Sequence, residues 1–383
     1  MRFHSARLAA RTSRRALAGL LLTSSVALTP LPLLAKPAAP LAELVKAVDI
    51  PYASFTLKNG LRVLVHTDRK APIVGVTLYY RVGSKNEPRG KTGFAHLYEH
   101  LFFGGSENAP SFDAPLEAAG STATNGSTWY DRTNYVETVP TGALDLALFL
   151  ESDRMGHLLG AVSQDKLDKQ RGVVQNEKRQ GDNQPYGLLQ YAVGEGLFPI
   201  GHPYRHATIG SMADLDAATL ADVRRWFNDH YAPNNVVLAL AGDIDAPTAR
   251  ALVEKYFGEI PSGEKIEKRP PMPITLASTI RLYHEDNFAK APLLTMVFPT
   301  VERYSKESYA LNFLGELLAG SKKSPLYTVL VKDKKLTSRV MTRNGSQELA
   351  GSFTISVNAN PGVNLTEVEK AIFEGFTKFE KDG

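Results

Sequence analysis

Residues 96 to 100 read His-Leu-Tyr-Glu-His, and no other feature of the 383-residue chain constrains its fold and chemistry as tightly. The pentapeptide lies in Thr92–Gly104, TGFAHLYEHLFFG, a proline-free run of Leu, Phe and Tyr that reads as a buried helix opened by Thr92. Positions i and i+4 of a helix share one face. His96 and His100 therefore offer two imidazoles to one ion, with Glu99 close to the same side. Two neutral nitrogens beside a carboxylate are what a zinc-activated water needs: ligands to hold the ion and a base to take the proton. The order is the inverse of the commoner His-Glu-x-x-His pattern.

A bland reading stands beside this one, because a helix also carries two histidines at this spacing for local hydrogen bonding. Two imidazoles make only a partial site, and a third ligand has to come from elsewhere. The chain has no cysteine, which excludes disulfides and thiolate zinc sites and leaves histidine and carboxylate as donors. That donor set suits a catalytic rather than a structural zinc. Glu177 is a candidate, in Ser163–Gln180, a charged segment with Leu167, Val173 and Val174 at roughly helical spacing. Its local pattern alone reads as an ordinary solvated glutamate.

His96-x-x-Glu99-His100 followed by Glu177 resembles the signature of the pitrilysin/insulysin/mitochondrial processing peptidase family of inverzincin zinc metallopeptidases. GFAHLYEHLFFGGSE, Gly120–Pro140, HPYRHATIGSMADL at 202–215 and YAPNNVVLALAGDID at 231–245 resemble family blocks in the same order. The likeness is close from Tyr52 to Gly258 and looser beyond. It implies one zinc per chain, held by His96, His100 and Glu177, with Glu99 as general base of peptide hydrolysis. It also implies a peptide-binding strand over Ser121–Thr128, with Asn125 at the peptide-contacting position and Gly126 allowing close approach. Gln170 stands where the family has a supporting glutamate seven positions before the third ligand. The substrate implied is an unstructured peptide or small polypeptide. A second homologous half is implied as partner, whether a C-terminal continuation, another subunit or a self-dimer. The rival reading is a non-catalytic relative serving as an assembly or partner subunit, against which the intact Glu99 and ligand set weigh. The lone His157, His202, His206 and His230 read as structural, and Trp129, Tyr130 and Tyr135 as core rather than pocket.

The first 35 residues read as a signal peptide. Five arginines are followed by the largely apolar Ala16–Leu28, and Leu33-Leu34-Ala35 is a plausible cleavage end before Lys36. The expected product is exported, periplasmic or secreted, without a membrane anchor. Removing those arginines leaves 39 basic residues against 40 acidic ones, which gives no footprint for nucleic acid or anionic membrane.

The length suggests two domains. Strands at Ser54–Leu57 and Leu61–His66 joined at Asn59-Gly60, then Pro72–Val82, Ser121–Thr128, Asn134–Thr138 and Val236–Ala241, alternate with helices. That pattern predicts an α+β fold of mixed or antiparallel sheet with helices on one face. The zinc domain is expected over 50–258 and a proline-rich linker over 259–277. A related second domain without the metal motif, over 278–383, is expected to be incomplete. In it, Ile280–His284, Leu293–Phe298 and Phe353–Val357 read as strands and Ser305–Ala319 as a helix.

Overall fold

The computed structural model describes residues 50–382, together with Glu43 and Val48. The expected signal peptide, residues 1–35, lies outside the described residues. Two sheets organise the described chain, and it is α+β as its pattern predicts. Among the described residues no helix is long and apolar enough to cross a membrane.

The first half runs β1 (Ala53–Thr56), β2 (Arg62–Thr67), β3 (Ile73–Tyr80), α1 (Phe94–Phe103), α2 (Asp113–Ala118), β4 (Ala123–Thr128) and β5 (Thr133–Pro140). Helices α3 (Leu144–His157), α4 (Gln164–Asp182), α5 (Leu189–Leu197), α6 (Met212–Asp216) and α7 (Leu220–His230) come next, then β6 (Val236–Gly242) and α8 (Ala246–Phe257). The sheet order is β1-β2-β6-β3-β5-β4, with β2 and β6 parallel and the other neighbours antiparallel. Strand β4 is therefore an edge. The β1–β2 turn needs Gly60, whose φ is +91°, while Asn59 Nδ2 donates to Phe257 O and Ile260 O at 2.7 and 2.9 Å.

Alternation along β3 buries Val74, Val76, Leu78 and Tyr80, and along β5 it buries Thr133, Tyr135, Glu137 and Val139. Phe102 of α1 stacks on Tyr135 with ring centroids 5.0 Å apart. Alternation also commits Glu137 to the core. Burial pushes its carboxyl well above the usual range, with the nearby Glu151 charge adding to the effect. Arg154, fully buried, pairs with Glu151 and lies over the rings of Phe112 and Tyr135 at 3.7 and 4.0 Å.

Helix α1 does not open as expected. Thr92 hydrogen-bonds to Asp214 through its hydroxyl and its N–H, and the residue that precedes the helix is Gly93, at φ +92° with no capping side chain. The free amides at the helix start are taken by Glu87, which accepts from Gly93 N and Ala95 N at 3.0 and 2.8 Å. A cap supplied from another segment leaves no local signature.

The second half holds β7 (Leu293–Thr300), α9 (Lys306–Ala319), β8 (Thr337–Ser346), β9 (Gly351–Ala359) and α10 (Leu365–Asp382), with a helical turn at Pro325–Tyr327 continuing as a π-helix to Asp333. Its sheet order is β7-β9-β8, antiparallel throughout. The strand expected at Ile280–His284 is absent: no strand pairs there, and Ile280, Leu282 and Tyr283 are exposed. Strand β8 and helix α8 are additions to the sequence reading.

The turn between β8 and β9 docks on the first half. Glu348 N donates to Asp131 Oδ2 at 3.0 Å, and Leu349 N donates to the Tyr204 hydroxyl at 2.9 Å. Leu349 and Ala350 bury against Leu197, Phe198 and Tyr204. Lys85, itself buried, bridges Asp131 and Glu348.

Candidate metal centre

Helix α1 carries the two histidines on one face because they are one turn apart, and their rings meet edge-to-face at 4.8 Å between centroids. The opposite face buries Phe94, Leu97, Tyr98, Leu101 and Phe102, which fixes the helix against the sheet. Helix α4, capped by Ser163 through Lys166 N, packs alongside and brings Glu177 to the same point. Glu177 Oε2 lies 3.3 Å from His100 Nε2 and 3.7 Å from His96 Nε2. The three ligand atoms all fall within 4.8 Å of one another.

These separations fit zinc. Bonds of about 2.0–2.1 Å in tetrahedral geometry put neighbouring ligand atoms roughly 3.3–3.5 Å apart, which the two Glu177 contacts already match to within a few tenths of an ångström. Protonation also fits. Burial, reinforced by the His100 charge, pushes the His96 imidazole down to about 4, leaving it neutral and able to ligate at neutral pH. His96 Nδ1 is buried with no hydrogen-bond partner among the described residues. Gln170 lies on the same helix two turns before Glu177, and the hydrogen bonds among the described residues include none from it to either imidazole.

Glu99 stands apart from the ligand set. Its Oε2 accepts the Thr128 hydroxyl of β4 at 2.7 Å. Burial raises the Glu99 carboxyl above its ordinary value, while that hydrogen bond and the His100 charge pull it back. The edge strand is pressed against the helix here. A Cβ added to Gly126 would meet Phe103 Cε2 at 2.9 Å and Glu99 Cγ at 3.0 Å. Asn125 is exposed, and its Oδ1 accepts the N–H of Gly126 at 2.8 Å.

The remaining histidines have structural partners. His206 meets the buried Glu87 at 2.9 Å, His202 contacts Met272 O and Tyr204 N, and His230 contacts Trp226 O. His157 lies 3.4 Å from Glu107. Tyr135 is core, whereas Trp129 is exposed. Sequence reasoning missed Thr128 and Glu87. Period-two alternation could have found Thr128, which shares a strand face with Gly126.

Residues 62–198 match the family described as Insulinase (Peptidase family M16), and residues 217–383 match the description Peptidase M16 inactive domain. The zinc protease PqqE of Helicobacter pylori is 31% identical over 337 residues, which are 86% of this chain and 75% of that relative. The chain belongs to peptidase family M16. A crystal structure of a protease from Helicobacter pylori resembles this M16 chain with a TM-score of 0.79 at 30% identity, over 87% of this chain and 81% of the other. Pitrilysin shares the fold with a TM-score of 0.70 at 20% identity, over 87% of this chain and 36% of its own. Within the M16 chain, α1, β4 and α4 all fall in the 62–198 match, so the segment matching the inactive domain contributes none of the metal-site residues.

Proposed function

We propose that this M16 chain is an exported zinc endopeptidase that hydrolyses peptide bonds in unstructured peptides. His96, His100 and Glu177 hold one zinc, and Glu99 is the general base. The observation that carries the reading is the division of labour at one point: three donors converge while a fourth side chain, Glu99, is held off them by Thr128. Bound zinc supplies a Lewis acid that polarises the scissile carbonyl and acidifies a water. Glu99 takes the proton from that water and returns it to the leaving amine. Its elevated pKa keeps it basic enough for the first transfer and acidic enough for the second. Strand β4, an edge, accepts the peptide as a further strand, with Asn125 and Gly126 at the contact. Main-chain pairing of this kind selects extended, unfolded substrates.

Export is supported by the arginine-rich, then apolar, composition of residues 1–35. A second homologous half as partner is supported by pitrilysin, of which this chain matches 36%. The deciding experiment combines metal analysis with a fluorogenic peptide library, run on wild type and Glu99→Gln. Zinc near one per chain in both, with hydrolysis only in wild type, is the expected result. Hydrolysis by neither, even with a supplied partner half, would favour the non-catalytic subunit.

A further inference from the structure

The face of the first sheet turned away from α1 carries a second set of charged groups. Gly126 and Thr128 point toward Glu99, so Ser127 between them belongs to the other face. Ser127 is in register with Asn134 of β5, which is in register with Tyr79 of β3. Arg132, in the turn after β4, donates Nη1 to Ser127 O and Ser127 Oγ at 2.6 and 2.7 Å. A second arginine comes from the other half. Arg303 donates Nε to Ser346 O at 3.1 Å and its N–H to Gln347 O at 2.7 Å, which ties it to the β8–β9 turn. That turn bonds to Asp131, the neighbour of Arg132.

The two guanidiniums share one electrostatic environment. Burial holds the Arg132 pKa below the usual arginine value and the Arg303 charge acts in the same direction, while Tyr79 and the Glu99 carboxylate act against it. Neither forms an ion pair among the described residues, although both are partly buried. The carboxylates near them are already committed: Glu99, whose charge reaches Arg132 without an ion pair, accepts from the Thr128 hydroxyl. Asp131 accepts from Lys85, the Tyr204 hydroxyl and Glu348 N, while Glu348 is held by Lys85. Partly desolvated guanidiniums without a directly paired acid gain most from an incoming carboxylate, which they bind through paired, charge-assisted hydrogen bonds. A peptide added to the free edge of β4 turns alternate side chains toward this face.

We propose that Arg132 and Arg303 form a carboxylate-binding subsite for the peptide substrate, placed near the scissile bond and built from both halves of the chain. The carboxylate is an acidic side chain or the peptide C-terminus. The inference rests on the peptidase reading above, and its test separates the two. Three labelled unstructured peptides are titrated against the full chain carrying Glu99→Gln, with fluorescence anisotropy as the readout. One has an internal Glu and an amidated end, one an internal Gln and a free end, and one an internal Gln and an amidated end. One of the two acidic peptides binds about tenfold more tightly than the neutral one, and which one identifies the source of the carboxylate. That preference falls toward unity in Arg132→Gln and in Arg303→Gln, and Arg132→Lys keeps part of it. Arg303→Gln decides the case if Arg132→Gln loosens the strand, which thermal melting reports. Equal binding of the three peptides, absence of binding, or a preference that survives both substitutions overturns the subsite. Cleavage of the neutral peptide by wild type is scored separately and bears only on the peptidase reading.

Discussion

The same structural unit occurs twice in this chain, and among the described residues only one copy gathers side chains that could hold a metal. In the first half it is β3, α1, β4, β5 and α3, with sheet order β3-β5-β4; in the second it is β7, α9, β8, β9 and α10, with order β7-β9-β8. Both copies set a helix beside an edge strand. In the first, the Thr128 hydroxyl of that strand reaches Glu99. In the second, the Thr342 hydroxyl reaches Gly315 O at 2.8 Å, beside a cavity of about 430 Å³ lined by Phe313, Glu316 and Arg343. The pairing of a helix with an edge strand is a property of the fold, and the side chains decide whether it does chemistry. Helix α9 has no histidine, and its only acids are Glu307 and Glu316.

The largest effect that could break this contrast concerns the metal. His100→Ala or Glu177→Gln should take bound zinc from about one per chain to near zero and abolish hydrolysis, because three ligands are the minimum for such a site. Glu316→Gln in the second copy should leave zinc content unchanged. Plasma emission analysis of purified protein decides it, and a second zinc lost with Glu316 would mean that both copies bind metal.

The base gives the next effect. Glu99→Gln keeps size and hydrogen bonding while removing the proton acceptor, so turnover should fall about 10²–10⁴-fold with zinc retained. Steady-state kinetics alongside metal analysis tests this, and loss of zinc in this variant would make Glu99 a ligand instead.

What the sequence made legible in each half depended on how local the signal was. The i, i+4 histidines, the Asn59-Gly60 turn and the alternation of β3 and β5 depend on neighbours along the chain, and each of those elements formed. The cap of α1 did not follow local rules, because Glu87 supplies it from a separate segment and frees Thr92 for Asp214. Strand β8, TSRVMTRNGS, was missed because it is an edge strand with little burial and no apolar alternation. Ile280–His284 misled in the opposite way, since a β-like composition forms no strand without a partner edge. The docking of Glu348 on Asp131 joins residues 217 positions apart, which no local pattern encodes.

A smaller effect tests the matching hydroxyls. Thr128→Val removes the hydrogen bond that orients Glu99 and should lower kcat about tenfold with little change in KM, the range expected for one hydrogen bond to a charged group. Thr128→Ser should restore most of the rate. Among the described residues the Thr342 hydroxyl bonds to a backbone carbonyl, Gly315 O, and to no acidic side chain, so the effect of Thr342→Val should be confined to thermal stability. A kcat loss of equal size in Thr342→Val would mean that the two copies work together.

The smallest expected effect is a difference in acid sensitivity between the halves. Burial lowers the pKa of His96, His202 and His230, all in the first half, while the histidine of the second half, His284, is exposed. A histidine with a depressed folded pKa binds its proton more readily when unfolded, near the ordinary value of about 6.5. The stability held by the neutral form is therefore present above that value and is lost as pH falls below it, toward about 4 for His96. In metal-free protein, lowering the pH from 7 to 5 should raise amide exchange in α1 and α7 relative to β9 and α10, after correction for intrinsic rates. Zinc should suppress the change in α1, since a proton and the metal compete for His96, and leave that in α7 largely intact. Hydrogen exchange read by mass spectrometry resolves these segments. Equal acid response in both halves would show that buried imidazoles do not set the acid limit, and would turn attention to Glu87, where burial instead raises the pKa and the sign of the pH dependence reverses.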